Sequence, residues 1–342
     1  MSVSEFRKDL VSGEWVLIAP GRSKRPHAPN GEHVQRERQN KATCPFEDPQ
    51  ASGNGDPLLV YKDGVAVDDV SGGWTTQVIS NKYPAVIPGV CGDPERVGPF
   101  LTHPAHGFHE IVITQDHEKS FAQFSDYETE EVLRVYRDRY QVISKDDCGD
   151  YISIFHNWGP TAGASVSHSH SQIISTPVIP PEVLGSIEGA DRHYKEHSQR
   201  VHEKLIEWEI AEGKRILFEN DGFIAFCPYV SKTAYEVRIF PKKQNPFFEQ
   251  STDADLTACA EVLNRVMTAI HDALGDPDLN FYIHTAPVLK KPDLNYDYYH
   301  WHLEIVPRIS TAAGFELGTA VYINVMDPDE AAAELRSAIA QK

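Results

Sequence analysis

Cysteine is scarce in this 342-residue chain: there are five, Cys44, Cys91, Cys148, Cys227 and Cys259. Their number is odd and their spacing wide, which argues against a disulfide framework and for a reducing compartment. Long apolar runs are missing too. None approaches the ~18 residues of a membrane span, and the N-terminal MSVSEFRKDLVSGEW has no apolar signal core. A cytoplasmic location is therefore expected. Positive charge is also short, with 32 Lys and Arg against 50 Asp and Glu, a formal net charge of −18. A general nucleic-acid binder displaces counterions with a basic surface, so the balance speaks against that class. It does not exclude a small anionic substrate, because a local basic pocket can override the global sign.

What is present is the composition of a folded protein, 41% hydrophobic and 24% charged. The first hundred residues are rich in Pro, Gly and Asp around short strand-like runs such as WVLIAP and TTQVIS, so function-bearing loops are expected there. Beyond them one pattern occurs twice. HEIVIT, starting at His109, alternates as a strand; Val132, Leu133, Val135 and Tyr136 then give a helix an apolar face; the strand YISIFHNWG follows, and then SHSHSQII. The second copy runs YEVRIFP, a helix around Val262, Leu263, Val266 and Met267, NFYIHTAP and YHWHLEIVP. Leu133 lies 35 residues before His168 and Leu263 lies 37 before His300, so the copies align with small length differences. The period is far longer than that of a solenoid. The join is expected near TPVIPPEVLGSIEGADR, where prolines and glycines interrupt regular structure. A charged helix, HYKEHSQRVHEKLIEWEIAEG, should open the second half.

On a strand, residues two apart share a face. SHSHSQ therefore lines up His168, His170 and Gln172, and HWHLE lines up His300, His302 and Glu304. A single polar row on a strand is ordinary; two at equivalent places in a duplicated unit point to a site. Gly159, Gly163, Ser165 and Ser167 precede the first row, and small residues let backbone N–H groups approach phosphate oxygens.

The segments RKDLVSGEWVLIAPGRSKRP, CPFE, SNKYPAV, GFHEIVIT, GPTAGASVSHSHSQ, HWHLEIVPR and GFELGTAVYIN together resemble the galactose-1-phosphate uridylyltransferases of the histidine-triad superfamily, near the branch of ADP-glucose phosphorylase-like enzymes. The resemblance runs nearly end to end. It implies an α+β fold of two tandem histidine-triad units, each an antiparallel sheet with helices packed on one side. Residues 1–185 would carry the nucleophile and a metal site, and 186–342 the sugar-binding segment. It also implies a homodimer.

The implied reaction is ping-pong transfer of a nucleoside monophosphate through a nucleotidyl-histidine. The nucleophile falls on His170, whose neutral imidazole needs no separate base. Gln172 matches a glutamine that hydrogen-bonds phosphoryl oxygens, Ser165 and Asn157 match residues near the diphosphate, and Asn81 matches a nucleotide contact. Arg22 and Arg25 resemble arginines that face the nucleotide or phosphates across a dimer interface, a task guanidinium groups suit. The metal ligands of the family fall on Cys44, Glu47, His117 and His168. Glu47 stands where many relatives have a second cysteine. Cys-Glu-His-His suits zinc; the carboxylate moves preference toward harder metals, so iron, manganese or no metal are alternatives.

A second metal site of some relatives would use positions matching His284, His300 and His302, with Ser186 near the place of their glutamate. The C-x-x-C of other relatives is replaced by RVHE. Glu316 matches a glutamate that reads hexose hydroxyls, and Tyr322 sits where well-known uridylyltransferases have a glutamine. The leading expectation is exchange of UMP between UDP-glucose and a hexose 1-phosphate such as galactose 1-phosphate. The alternatives are adenylyl transfer from ADP-glucose to phosphate, and a nucleotide-binding or hydrolase-like protein that performs no transfer.

Overall fold

The computed structural model describes residues 3–24, 39–289 and 294–340. An N-terminal hairpin, β1 (Glu5–Lys8) and β2 (Trp15–Ile18), precedes β3 (Leu59–Lys62), β4 (Val65–Val67) and β5 (Thr76–Ser80). A small hairpin, β6 (Glu95–Val97) and β7 (Phe100–Thr102), leads into the first copy: β8 (His109–Thr114), α1 (Asp126–Ile143), β9 (Tyr151–Trp158) and β10 (His170–Thr176). Next come α2 (Pro181–His197), α3 (Val201–Glu212), β11 (Ile216–Glu219) and β12 (Phe223–Phe226). The second copy is β13 (Val237–Pro241), α4 (Asp253–Leu274), β14 (Leu279–His284) and β15 (His302–Pro307), followed by α5 (Gly314–Thr319), β16 (Tyr322–Asn324) and α6 (Pro328–Ala340).

Both copies start their helix with the same device. Ser125 and Glu128 form a capping box on α1, and Thr252 and Asp255 form one on α4. Each satisfies two N–H groups that the first turn leaves open. The apolar stripes that follow, Val132, Leu133, Val135 and Tyr136 on α1 and Val262, Leu263, Val266 and Met267 on α4, are buried in one shared core.

The two antiparallel sheets are joined edge to edge. Strands run in the order β11-β12-β13-β15-β14-β9-β10-β8-β5-β3-β4, and the copies meet where β14 pairs antiparallel with β9. Fusing the sheets there removes two exposed edges. The register puts Gln172, Phe155 and Tyr282 in one line across β10, β9 and β14, so both polar rows lie on the same face of a continuous sheet. The other face packs on α1, α4 and α6 through residues such as Ile154, Ile173, Phe281 and Leu335.

The main helices α1, α4 and α6 share one face, and α3 adds a helix on the other. Ile206 of α3 packs on Ile224, Phe226 and Phe240, the side opposite α4. The join is also helical: α2 begins at Pro181, where a missing N–H costs nothing. Its Gly189 is required because a Cβ there would sit 1.8 Å from the Val11 carbonyl oxygen. The expected single charged helix is two, broken at Ser198 with φ of 52°. Cys91 and Cys148, 57 residues apart in sequence, form a disulfide with Cα atoms 5.1 Å apart. The expectation from number and spacing, no disulfide framework and a reducing compartment, did not include this one bond; spacing along the chain does not show that the loop after β5 returns to the α1–β9 turn. None of the described helices is long and apolar enough to cross a membrane.

His156 sits on the helical face of β9, fully buried, stacked on Phe281 and within 3.0 Å of Ser171 Oγ. Burial pushes its pKa down to about 3. The unfolded chain then binds a proton that the folded one refuses, so this contribution to stability is complete above pH ~6.5 and is lost as pH falls from there. Denaturation midpoints at pH 7.5 and 5.5 are expected to differ less in His156→Phe than in the wild type; equal differences would contradict the assignment.

Candidate active site

Four side chains converge ahead of β10. His168 sets its Nε2–H on the Thr114 carbonyl at 2.6 Å, and His117 sets its Nε2–H on the Gln39 carbonyl at 2.9 Å. Each ring therefore presents Nδ1 as a lone pair. Glu47 Oε1 lies 3.0 Å from His117 Nδ1 and 3.9 Å from His168 Nδ1, and Cys44 Sγ lies 3.5 Å from His168 Nδ1. The ligand atoms of Cys44, His117 and His168 all fall within 4.8 Å of one another. Metal–ligand bonds of ~2.0–2.3 Å in a tetrahedron place donor atoms ~3.3–3.7 Å apart, the range these separations straddle. Lone pairs and a carboxylate oxygen this close repel unless a cation lies among them. Burial pushes the Cys44 thiol up, so it keeps its proton unless a cation replaces it. Cys44, His117 and His168 can together hold a metal ion, and Glu47 lies beside them.

His170 follows directly. Its Nδ1–H donates to the His168 carbonyl at 2.8 Å, which fixes the tautomer and leaves Nε2 with the lone pair. The ring is buried, edge-on to Phe46 at 5.0 Å between centroids, and burial lowers its pKa, keeping it neutral. A neutral imidazole with a directed Nε2 is a nucleophile.

Three half-buried side-chain amides surround this face, and each has its oxygen occupied. Gln172 Oε1 accepts from His109 Nε2–H at 2.8 Å. Asn81 Oδ1 accepts from the Tyr83 N–H at 2.8 Å. Asn157 Oδ1 accepts from Asn280 Nδ2 at 2.7 Å, and Asn280 Oδ1 accepts from Arg308 Nε at 2.5 Å. Amides pinned through oxygen present N–H groups, which suits an anion. The sequence reading missed His109, Asn280 and Arg308. Nothing along β9 points to Asn280, which lies on β14; only the β9–β14 pairing, which sets it opposite Asn157, brings the second copy into this site.

Other expected residues stand apart. Arg22 lies on the 3-10 turn Pro20–Lys24, and among the described residues no hydrogen bond joins it to the histidines. Arg25 lies outside the described residues. Ser165 is exposed in the loop between β9 and β10. Glu316 accepts from the Ala313 N–H at 2.9 Å as the cap of α5, and no hydrogen bond among the described residues ties it to His170.

The second polar row repeats two backbone bonds of the first. His302 Nδ1–H donates to the His300 carbonyl at 3.2 Å, and His300 Nε2–H to the Pro241 carbonyl at 2.8 Å. His302, however, stacks on Phe240 and His284 at 4.6 and 4.8 Å from the flanking strands, and α3 adds His202 at 5.7 Å. His300 also faces the Asn245 backbone through Nδ1, so it is not part of a metal set with His284; the residues that gather are His284, His302 and Glu304. Glu304 is held at 3.2 Å by Arg238.

Against known proteins, the family model for the N-terminal domain of galactose-1-phosphate uridyl transferase matches residues 1–180, and a domain of unknown function matches residues 106–342. The chain is 31% identical over 336 residues to ADP-glucose phosphorylase of Arabidopsis thaliana, covering 97% of this chain and 92% of that protein. It is 27% identical to galactose-1-phosphate uridylyltransferase of Thermotoga maritima, covering 97% and 98%. The crystal structure of the Arabidopsis phosphorylase with bound ADP-glucose superposes with a TM-score of 0.80 at 30% identity, covering 98% of this chain and 99% of that one. The chain belongs to the galactose-1-phosphate uridylyltransferase family of nucleotidyl-transferring enzymes.

Proposed function

We propose that this protein transfers a nucleoside monophosphate from a nucleoside diphosphate hexose through a covalent bond to His170. The observation that carries the proposal is the Nδ1–H bond to the His168 carbonyl, because it leaves Nε2 as the reactive nitrogen. The Nε2 lone pair forms a bond to the α-phosphorus, and the bond from that phosphorus to the bridging oxygen breaks, its electron pair leaving with the sugar 1-phosphate. The ring becomes cationic, and the His168 carbonyl stabilises it through Nδ1–H. An oxygen of a second phosphate then attacks the same phosphorus, and the P–N pair returns to Nε2. The N–H groups of Gln172, Asn157 and Asn81, with the Ser165 hydroxyl, hold the phosphoryl oxygens, so catalysis is positioning and charge stabilisation.

Zinc at Cys44, Glu47, His117 and His168 would supply fixed positive charge that clamps the loop of residues 39–47 to the strand entry. In this reading Arg22 and Arg25 face the nucleotide or phosphates across a homodimer interface, and Glu316 reads the hexose hydroxyls.

UMP exchange between UDP-glucose and a hexose 1-phosphate is the first reading. Adenylyl transfer from ADP-glucose to phosphate is the second, favoured by the 31% identity to the Arabidopsis phosphorylase. Incubating the enzyme with UDP-glucose or ADP-glucose labelled in the nucleotide, without acceptor, separates them. Acid-labile label on protein from UDP-glucose supports the first; label from ADP-glucose alone supports the second. Rapid release of nucleotide to water, or no chemistry with either donor, would overturn transfer.

A further inference from the structure

We propose that His109 is a positioning residue that orients the Gln172 amide toward the transferred phosphoryl group. This rests on the nucleotidyl-transfer reading of the site. The argument is one of proton positions. The Ala85 backbone N–H points at His109 Nδ1 from 3.0 Å, and a backbone N–H can only donate. Nδ1 is therefore the acceptor nitrogen, and a neutral ring then carries its proton on Nε2. Nε2–H faces the Gln172 amide at 2.8 Å, and the atom it meets has to be Oε1. The Gln172 NH2 group is thereby turned away from His109.

Gln172 lies two residues beyond His170 on β10, so both side chains point to the same face of the sheet. His109 belongs to the neighbouring strand β8, where Ile111 pairs with Gln172 and Ile113 with His170. It is on that face as well, one step further from the nucleophile. Without His109 the amide is free to rotate by half a turn, and Oε1 would then face the phosphoryl oxygens, where it repels. Asn81 Nδ2 stands 3.0 Å from the same Nε2. Its oxygen is committed to the Tyr83 N–H, so Asn81 brings only a donor there; with Nδ1 already accepting from Ala85 that contact is not a hydrogen bond, and Gln172 Oε1 is the acceptor of Nε2–H.

The test is a double-mutant cycle on the full chain with whichever nucleoside diphosphate hexose labels the wild type. His109→Phe is expected to slow label formation about 10- to 100-fold, somewhat less than deletion of a whole transition-state donor. In a Gln172→Ala background the same substitution is expected to change the rate by less than about twofold, because the amide it orients is gone. His109→Gln, which keeps a donor, should recover most of the rate. Equal slowing in both backgrounds would mean that His109 supports the fold only and would overturn the proposal, as would a wild-type rate in His109→Phe.

Should His109→Phe fail to fold, the 15N chemical shifts of the His109 ring in the wild-type protein decide the matter. An Nε2–H tautomer is expected; an Nδ1–H tautomer would overturn the proposal. If the wild type itself takes no label from either donor, the reading of the reaction fails, a result distinct from the outcomes of the cycle.

Discussion

His170→Gly is expected to lower turnover about a millionfold while leaving the protein folded, a loss of the size seen when a covalent nucleophile is removed. The reasoning is geometric. Nε2 is the one nitrogen of this ring not already committed, because Nδ1–H is held by the His168 carbonyl at 2.8 Å. The neighbouring amides can bind phosphate without it but cannot form the P–N bond. His302, built by the same repeat with the same bond to the preceding histidine carbonyl, does not substitute. Its ring is stacked on Phe240 and His284, and the residue two further on is Glu304, a carboxylate where the active copy has an amide. Carboxylate oxygens repel a phosphate that an amide would hold. Turnover within tenfold of the wild type in His170→Gly would contradict the assignment; an unchanged melting temperature shows that a loss is chemical.

The second large effect is expected at the candidate metal cluster of Cys44, His117 and His168. His117→Ala should abolish stoichiometric metal binding, lower the melting temperature by about 10 °C and slow turnover about 100-fold, although His117 touches no substrate. The coupling runs through the backbone. His168 Nδ1 faces Cys44 and would be the atom offered to a metal, while Nε2–H holds the Thr114 carbonyl and the residue's own carbonyl fixes His170. Loosening one ligand therefore shifts the nucleophile. Glu47→Cys is the informative companion. It replaces a carboxylate beside the candidate ligands by a thiolate, so zinc affinity should rise relative to manganese or iron while turnover is kept. Elemental analysis of the purified protein, with melting curves before and after chelation, checks both. A His117→Ala protein with wild-type stability and rate would mean that the cluster holds no metal that matters.

Much of this site was legible in the sequence because it is local. H-x-H-x-Q on a strand needs only the two-residue repeat to place His170 beside Gln172, and the duplicated order of strand and helix needs only periodicity. What was not legible depends on partners distant in sequence. The disulfide joins residues 57 apart. The single sheet depends on β9 pairing with β14, which also delivers Asn280 and Arg308 to Asn157. The placement of α3 over Phe240 depends on the break at Ser198, where a serine adopts a left-handed conformation that composition does not announce. His109 reads as an ordinary first residue of a strand until the Ala85 N–H fixes its tautomer.

The most direct measurement is to trap the enzyme with donor in the absence of acceptor, digest it, and locate the phosphorus on a single residue by mass spectrometry with 31P and 15N NMR of the adduct. A nucleotidyl group bonded to His170 through Nε2 is the predicted result. A group on Nδ1, on another residue, or no covalent species at all under conditions of full turnover would contradict the account.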